Sequence, residues 1–217
     1  MPRVKAARPY RSPRRAETAS TTRRLVLDAA RTLFLQQGYV GTTIDQIAER
    51  AGVSKPTVFA AVGSKRALLK ELRDRALAGD DEPIEVPARP WVQGVIEEPD
   101  PCRTLQRYAR GHTQLAARYA DLEEVLHAAA GADDELRDLW QTNEQERLQA
   151  ARLFIDNLLG KTPLKPGLGR EAAVDVLWTH MATDNFRRLV RDRGWSMDQY
   201  EQWLAETLCA QVLAPPR

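Results

Sequence analysis

No apolar run in this chain of 217 residues approaches the length of about eighteen needed to cross a bilayer. The amino terminus is basic but has no apolar stretch behind it, so it does not read as a secretory signal. Cysteine is scarce: Cys102 and Cys209 alone cannot make a disulfide framework. Both fall in predicted helices and read as buried or idle thiols of a reducing compartment. His112, His127 and His180 are the only histidines, and their wide separation fits no metal-ligand pattern. There is no Gly-rich phosphate loop, no nucleophile elbow, no internal repeat and no strand alternation. These absences point away from a membrane protein, a secreted scaffold and the common enzyme designs. The expectation is a cytoplasmic protein with no catalytic residues, no metal and no cofactor, and no membrane partner.

What is present is an uneven charge. The net charge is only +2, yet residues 1–70 carry fourteen Lys and Arg against four Asp and Glu, while the rest carries eighteen against twenty-six. A basic third faces phosphate readily, and an acidic remainder is repelled by it. Within the basic third, residues 42–69 read TTIDQIAERAGVSKPTVFAAVGSKRALL. Thr43 is placed to cap a helix whose apolar stripe is Ile44, Ile47, Ala48 and Ala51. Gly52 ends it in the left-handed conformation. Val53 fills the turn, and Ser54 caps the next helix, Lys55–Ala61, with Pro56 tolerated in its first turn. Ala48 is small enough to let the two helices cross closely. This is the pattern of a helix-turn-helix whose second helix enters a DNA major groove.

Residues 23–72 resemble the amino-terminal domain of TetR-family (tetracycline repressor) regulators. The likeness rests on three stretches in one register: LDAARTLFLQQGYVGTT, IAERAGVSKPTVF and GSKRALLKEL. Phe59 stands where the family commonly has Tyr, and Ala61 and Val62 stand where it often has aromatics. Early residues of a recognition helix reach base edges, so Lys55 and Thr57 are candidate base readers, with Pro56 able to touch a thymine methyl. Thr42, Thr43, Ser54 and Lys65 are candidates for the phosphate backbone, a role the resemblance supports. Phe59, lacking the Tyr hydroxyl, is expected to pack or to touch a methyl group. Capping alone also explains Thr43 and Ser54, and both roles are compatible.

Around this motif the chain reads as all-α. Residues 1–20, with Arg3, Lys5, Arg8, Arg11, Arg14 and Arg15, are expected to form a disordered basic tail, following a DNA backbone or serving solubility. A first helix spans about Thr22–Gln37 and ends at Gly38. A fourth, capped by Ser64, runs to about Ala78. Residues 79–101 are rich in proline and acid, predicting a loop with one short helix near Trp91–Glu97. Beyond it come a long helix from about Leu105 that bends before Leu122 and stops at Gly131, then one from Asp133 or Asp134 to Gly160. Two last helices follow, Arg170–Arg193 and Met197–Leu213, the latter opened by a Ser196–Gln199 capping box.

The expected organisation is a tail (1–20), a helix-turn-helix domain (21–79) and a helical-bundle ligand-binding and dimerisation domain (80–217). The resemblance implies a homodimer on palindromic double-stranded operator DNA, acting as a repressor released by a small-molecule effector. A ligand-independent DNA-binding factor and an activator remain alternatives. Candidate effector residues are polar or aromatic groups on apolar stripes: Tyr108, His112, Tyr119, Trp140, Asn143, Trp178 and Met181. Such groups are more often plain core. The broad stripe Tyr200, Trp203, Leu204, Thr207, Leu208, Gln211 and Val212, with Trp178, is expected to form the dimer face.

Overall fold

The computed structural model describes residues 13–79 and 86–215. Among the described residues the chain is all-helical, its one strand-like feature being an isolated bridge between Leu164 and Leu213. The helices are α1 (Pro13–Gly41), α2 (Ile44–Ala51), α3 (Lys55–Val62), α4 (Lys65–Ala78), α5 (Pro90–Glu97), α6 (Pro101–Ala130), α7 (Asp134–Leu159), α8 (Arg170–Met181), the short α9 (Asp184–Phe186) and α10 (Met197–Val212). Two compact units divide at Leu69/Lys70.

In the first unit α1 begins at Pro13, so residues 13–20, expected to be disordered, are helical. Arg3, Lys5, Arg8 and Arg11 of the expected tail lie outside the described residues. Gly38 breaks α1 with φ 74°, a conformation that costs a side chain dearly. Val26, Leu27, Ala30 and Phe34 on α1 are buried with Ile47 and Ala48 of α2, Val58 of α3 and Leu68 of α4. The 3.6-residue stripes of the sequence thus converge on one small core.

In the second unit the core is built from α5, α6, α7, α8, α9 and α10. α6 runs unbroken for 30 residues, without the bend expected before Leu122. α5 lies against it: an added Cβ on Gly111 would come 2.2 Å from the Trp91 ring, so the absence of a side chain there lets the indole rest on the helix backbone. The expected helix Arg170–Arg193 is interrupted. α8 stops at Met181, Ala182 is extended, and a π-helical turn covers Arg187–Asp192. The cause lies 60 residues upstream: the buried Glu123 carboxylate accepts from the Thr183 amide at 3.3 Å and from the Thr183 hydroxyl. That carboxylate replaces the carbonyl partner a continuous helix would offer.

The stripe on α10 is split. Tyr200, Leu204, Leu208 and Val212 are fully buried within the chain, whereas Trp203 and Thr207 are partly exposed and Gln211 is exposed. Leu204 and Leu208 therefore belong to the core and not to a dimer face. Nor are the cysteines buried as a pair: Cys102 is exposed and Cys209 half-buried.

Candidate nucleic-acid interface and effector site

The helix-turn-helix is fixed by local hydrogen bonds at each joint. The Thr43 hydroxyl accepts from the Gln46 amide at 3.2 Å, and the Gln46 side chain accepts from the Thr43 amide at 2.8 Å, completing a capping box. Gly52 has φ 67°, and its amide donates to Ala48 and Glu49, while the Val53 amide reaches Ala48 at 3.0 Å. This closes α2 and turns the chain directly into α3. Ser54 caps α3 by accepting from the Thr57 amide at 3.3 Å, and its hydroxyl pairs with that of Thr57 at 2.8 Å.

The start of α3 carries the exposed Lys55 and Pro56 and the half-buried Thr57, with Phe59 46% exposed one turn on. The ammonium of Lys55 lies 3.0 Å from Asp45 on α2. Both groups are well exposed, so this pair is weak and exchanges readily for a phosphate or a base edge. Thr43 and Ser54 are exposed beside them.

Two other sequence candidates have different roles. Thr42 is fully buried, and its hydroxyl donates to the Gly38 carbonyl at 2.8 Å, bracing the corner after α1 rather than facing phosphate. Lys65 reaches back from α4 to donate to the carbonyls of Tyr39 (3.0 Å) and Thr42 (2.9 Å), and its ammonium sits 4.1 Å from the centre of the Tyr39 ring. It clamps the entrance of the motif. Gln37 and Gln46, not singled out from the sequence, join the same brace at 3.0 Å. For Gln46 the signal was available, as the third residue of the capping box.

The family model for bacterial regulatory proteins of the tetR family matches residues 26–72, the segment that carries these joints. The chain belongs to the TetR family. It is a DNA-binding transcriptional regulator, not an enzyme. Among TetR relatives it is similar to the uncharacterized HTH-type regulator YdeS of Bacillus subtilis, 28% identical over 160 residues, covering 72% of this chain and 74% of that one. It is also similar to the HTH-type regulator TtgR of Pseudomonas putida, 24% identical over 211 residues, covering 93% and 97%. The crystal structure of NalD, described as the secondary repressor of the MexAB-OprM multidrug efflux pump in Pseudomonas aeruginosa, superposes with a TM-score of 0.62. That match spans 90% of this chain and 98% of that one at 22% identity, a likeness of TetR fold. No helix among the described residues is long and apolar enough to cross a membrane.

The second unit of this TetR-family chain holds the effector candidates, and the structure sorts them into three groups. Tyr119 and Asn143 belong to a closed polar network. The Tyr119 hydroxyl donates to Asn143 Oδ1 at 2.8 Å, as does Arg73 at 3.2 Å, and Asn143 Nδ2 donates to Glu123 at 3.1 Å. Arg147 pairs with Glu123 at 3.0 Å, and Arg73 also pairs with Glu146. Burial pulls the Arg73 guanidinium down, but the hydrogen bond and charge of Glu146 outweigh it and leave it raised. These groups are satisfied by one another. Trp140, half-buried, stacks on His127 at 4.5 Å.

The third group is aromatic and carries buried polar atoms that lack partners. Tyr108 stacks on His112 at 5.8 Å and meets Phe154 edge-on at 5.1 Å, while Arg147 lies 5.5 Å from the Trp178 ring. Among the described residues, the Tyr108 and Tyr200 hydroxyls, His112 Nε2, Trp178 Nε1 and His180 Nδ1 have no hydrogen-bond partner. The charges of Arg147 and His180 act on His112, and those of Tyr200 and Arg147 on Tyr108, so the groups share one region. Burial, with help from Arg147 and His180, lowers His112 to about 4 and keeps it neutral. Burial raises the Tyr108 and Tyr200 phenols. The cluster is therefore uncharged apart from Arg147, aromatic, and rich in free hydrogen-bonding atoms. Met181, half-buried, packs against the same core.

Proposed function

We propose that the chain represses transcription by occupying a palindromic operator as a homodimer, and that a small-molecule effector releases it. The observation that carries the DNA half is the Lys55–Pro56–Thr57 face, exposed at Lys55 and Pro56 and half-buried at Thr57, presented from a helix whose start is fixed by Gly52 and Ser54. Residues so placed reach base edges when the helix enters a major groove. Thr43, Ser54 and Phe59 flank that face and supply backbone and methyl contacts.

A helix-turn-helix dimer must match half-sites one or more turns apart, so small displacements of one copy uncouple both. The proposed dimer face is the partly exposed side of α8 and α10, with Val176, Trp203, Thr207 and Gln211. The effector site is the unsatisfied cluster Tyr108, His112, Trp178 and Tyr200. Unpaired buried polar atoms each cost stability, and a flat molecule with hydrogen-bonding groups satisfies several at once. By linkage, an effector that weakens operator binding is itself bound more weakly by the operator complex, by the same factor.

The test is a salt titration of operator and scrambled duplexes with the wild-type protein and the Lys55→Ala, Thr57→Ala double variant. Each lost base contact is expected to weaken operator binding by about 1–3 kcal/mol, with scrambled DNA much less affected. Equal losses on both duplexes would mean that α3 does not read sequence.

A further inference from the structure

The two cysteine sulfur atoms of this chain lie together although 107 residues separate them. Cys102 is in the first turn of α6 and Cys209 in the last turn of α10, with Sγ–Sγ 3.5 Å. They sit in an open groove of about 550 Å³ lined also by Gln106, Asp198, Glu201 and Glu206. We propose that Cys102 and Cys209 are a redox modification site, closing reversibly into an intramolecular disulfide when the chain meets an uncharged hydroperoxide. This goes beyond the DNA and effector roles and does not depend on them.

The geometry divides the labour between the thiols. Cys102 is exposed and is the sulfur an oxidant meets first. Its sulfur attacks one oxygen of the hydroperoxide, the O–O bond breaks, and water or an alcohol departs. Cys102 is oxidised to the sulfenic acid and the peroxide is reduced. The Gln106 amide, 3.7 Å from the Cys102 sulfur, donates to it. Cys209 then attacks the Cys102 sulfur, the S–O bond breaks, and hydroxide leaves with the Cys209 proton as water. Two thiols and one hydroperoxide become one disulfide, one water and one further water or alcohol.

Cys209 is pushed up to about 12, first by burial, then by Cys102 and by the carboxylates of Asp100 and Glu206. It stays protonated at neutral pH while Cys102 is reduced, which leaves the exposed Cys102 as the sulfur that meets the oxidant. The acidic groove also selects among oxidants. Asp198, Glu201 and Glu206 repel anionic disulfides such as oxidised glutathione but not a neutral peroxide.

The experiment uses the full chain, reduced and then treated with a small excess of hydrogen peroxide. Expected are loss of both free thiols, a mass lower by about 2 Da for the two hydrogens removed, and a Cys102–Cys209 peptide cross-link reversed by a phosphine. The bridge closes a long loop, so the melting temperature rises by about 5–15 °C. Cys209→Ser stops at a sulfenic acid that a dimedone probe captures on Cys102. Cys102→Ser leaves Cys209 unmodified and shows no rise in melting temperature. The proposal is overturned if the wild-type thiols persist, if they are lost only into bridges between separate chains, or if they go to sulfinic acid with no cross-link. It is equally overturned if oxidised glutathione closes the bridge faster than the neutral peroxide.

Discussion

Lys65 separates two readings of a basic residue at the edge of a DNA-binding motif. As a phosphate ligand it is free until DNA arrives; as a clamp it holds the motif whether or not DNA is present. Its ammonium donates to two carbonyls at 3.0 and 2.9 Å and lies 4.1 Å from the Tyr39 ring centre. Hydrogen bonds from a charged donor contribute about 1.5–3 kcal/mol each and a partly exposed cation–π contact about 0.5–1 kcal/mol. Lys65 is only half-buried, so solvent discounts the sum, leaving about 2–4 kcal/mol for Lys65→Met, which keeps the apolar stem. All five tryptophans lie beyond Lys70, so the fluorescence melt follows the second unit and is expected to stay in place. Amide exchange in α2 and α3 reports on the first unit and is expected to accelerate about 30- to 1,000-fold, at tenfold per 1.4 kcal/mol. If exchange is unchanged while the salt slope of DNA binding falls by about 0.9, Lys65 is a phosphate ligand and the clamp is wrong.

Three further outcomes follow from the second unit. His112 has a folded pKa of about 4 against 6.5 unfolded, so only the unfolded chain takes up its proton between those values. Stability is intact above pH 6.5 and falls by about 3 kcal/mol as pH drops to 4; His112→Phe should flatten that slope in urea melts, and an unchanged slope would show that His112 is not the group responsible. Thr207→Glu is expected to give monomers in sedimentation with a near-normal tryptophan melt, whereas Leu204→Glu buries an unpaired carboxylate in the core and unfolds the unit; dimers from Thr207→Glu would remove α10 from the interface. Gly111→Ala puts a methyl group 2.2 Å from the Trp91 ring, which should cost about 1–3 kcal/mol in urea denaturation; an unchanged midpoint would show that α5 yields freely.

Much of this was legible because the signals are local. Gly38, Gly52, the Ser54 cap and the Ser196–Gln199 box each act within a turn of themselves, and each ends or starts a helix where the spacing predicts. Non-local chemistry was illegible for the same reason. Nothing near Thr183 announces a break, since the group that causes it, Glu123, belongs to α6. Lys65 looks like any basic residue until the Tyr39 and Thr42 carbonyls are brought beneath it. Periodicity marks Leu204 and Thr207 as one stripe, but it cannot say that the first meets its own chain and the second meets solvent. Among the effector candidates, Tyr119 and Asn143 shared a polarity signal with His112, and only the distances separate a satisfied network from unsatisfied groups.

The interruption after α8 has a mechanical consequence. Most permanent bends in a helix are written into the bent segment itself, as proline or glycine, and cannot be undone. Residues 181–186 read Met-Ala-Thr-Asp-Asn-Phe, with neither proline nor glycine to forbid a straight rod. The joint is held from outside, by one carboxylate that also holds Arg147 and Asn143. A side chain in the middle of one helix thereby sets the length of another.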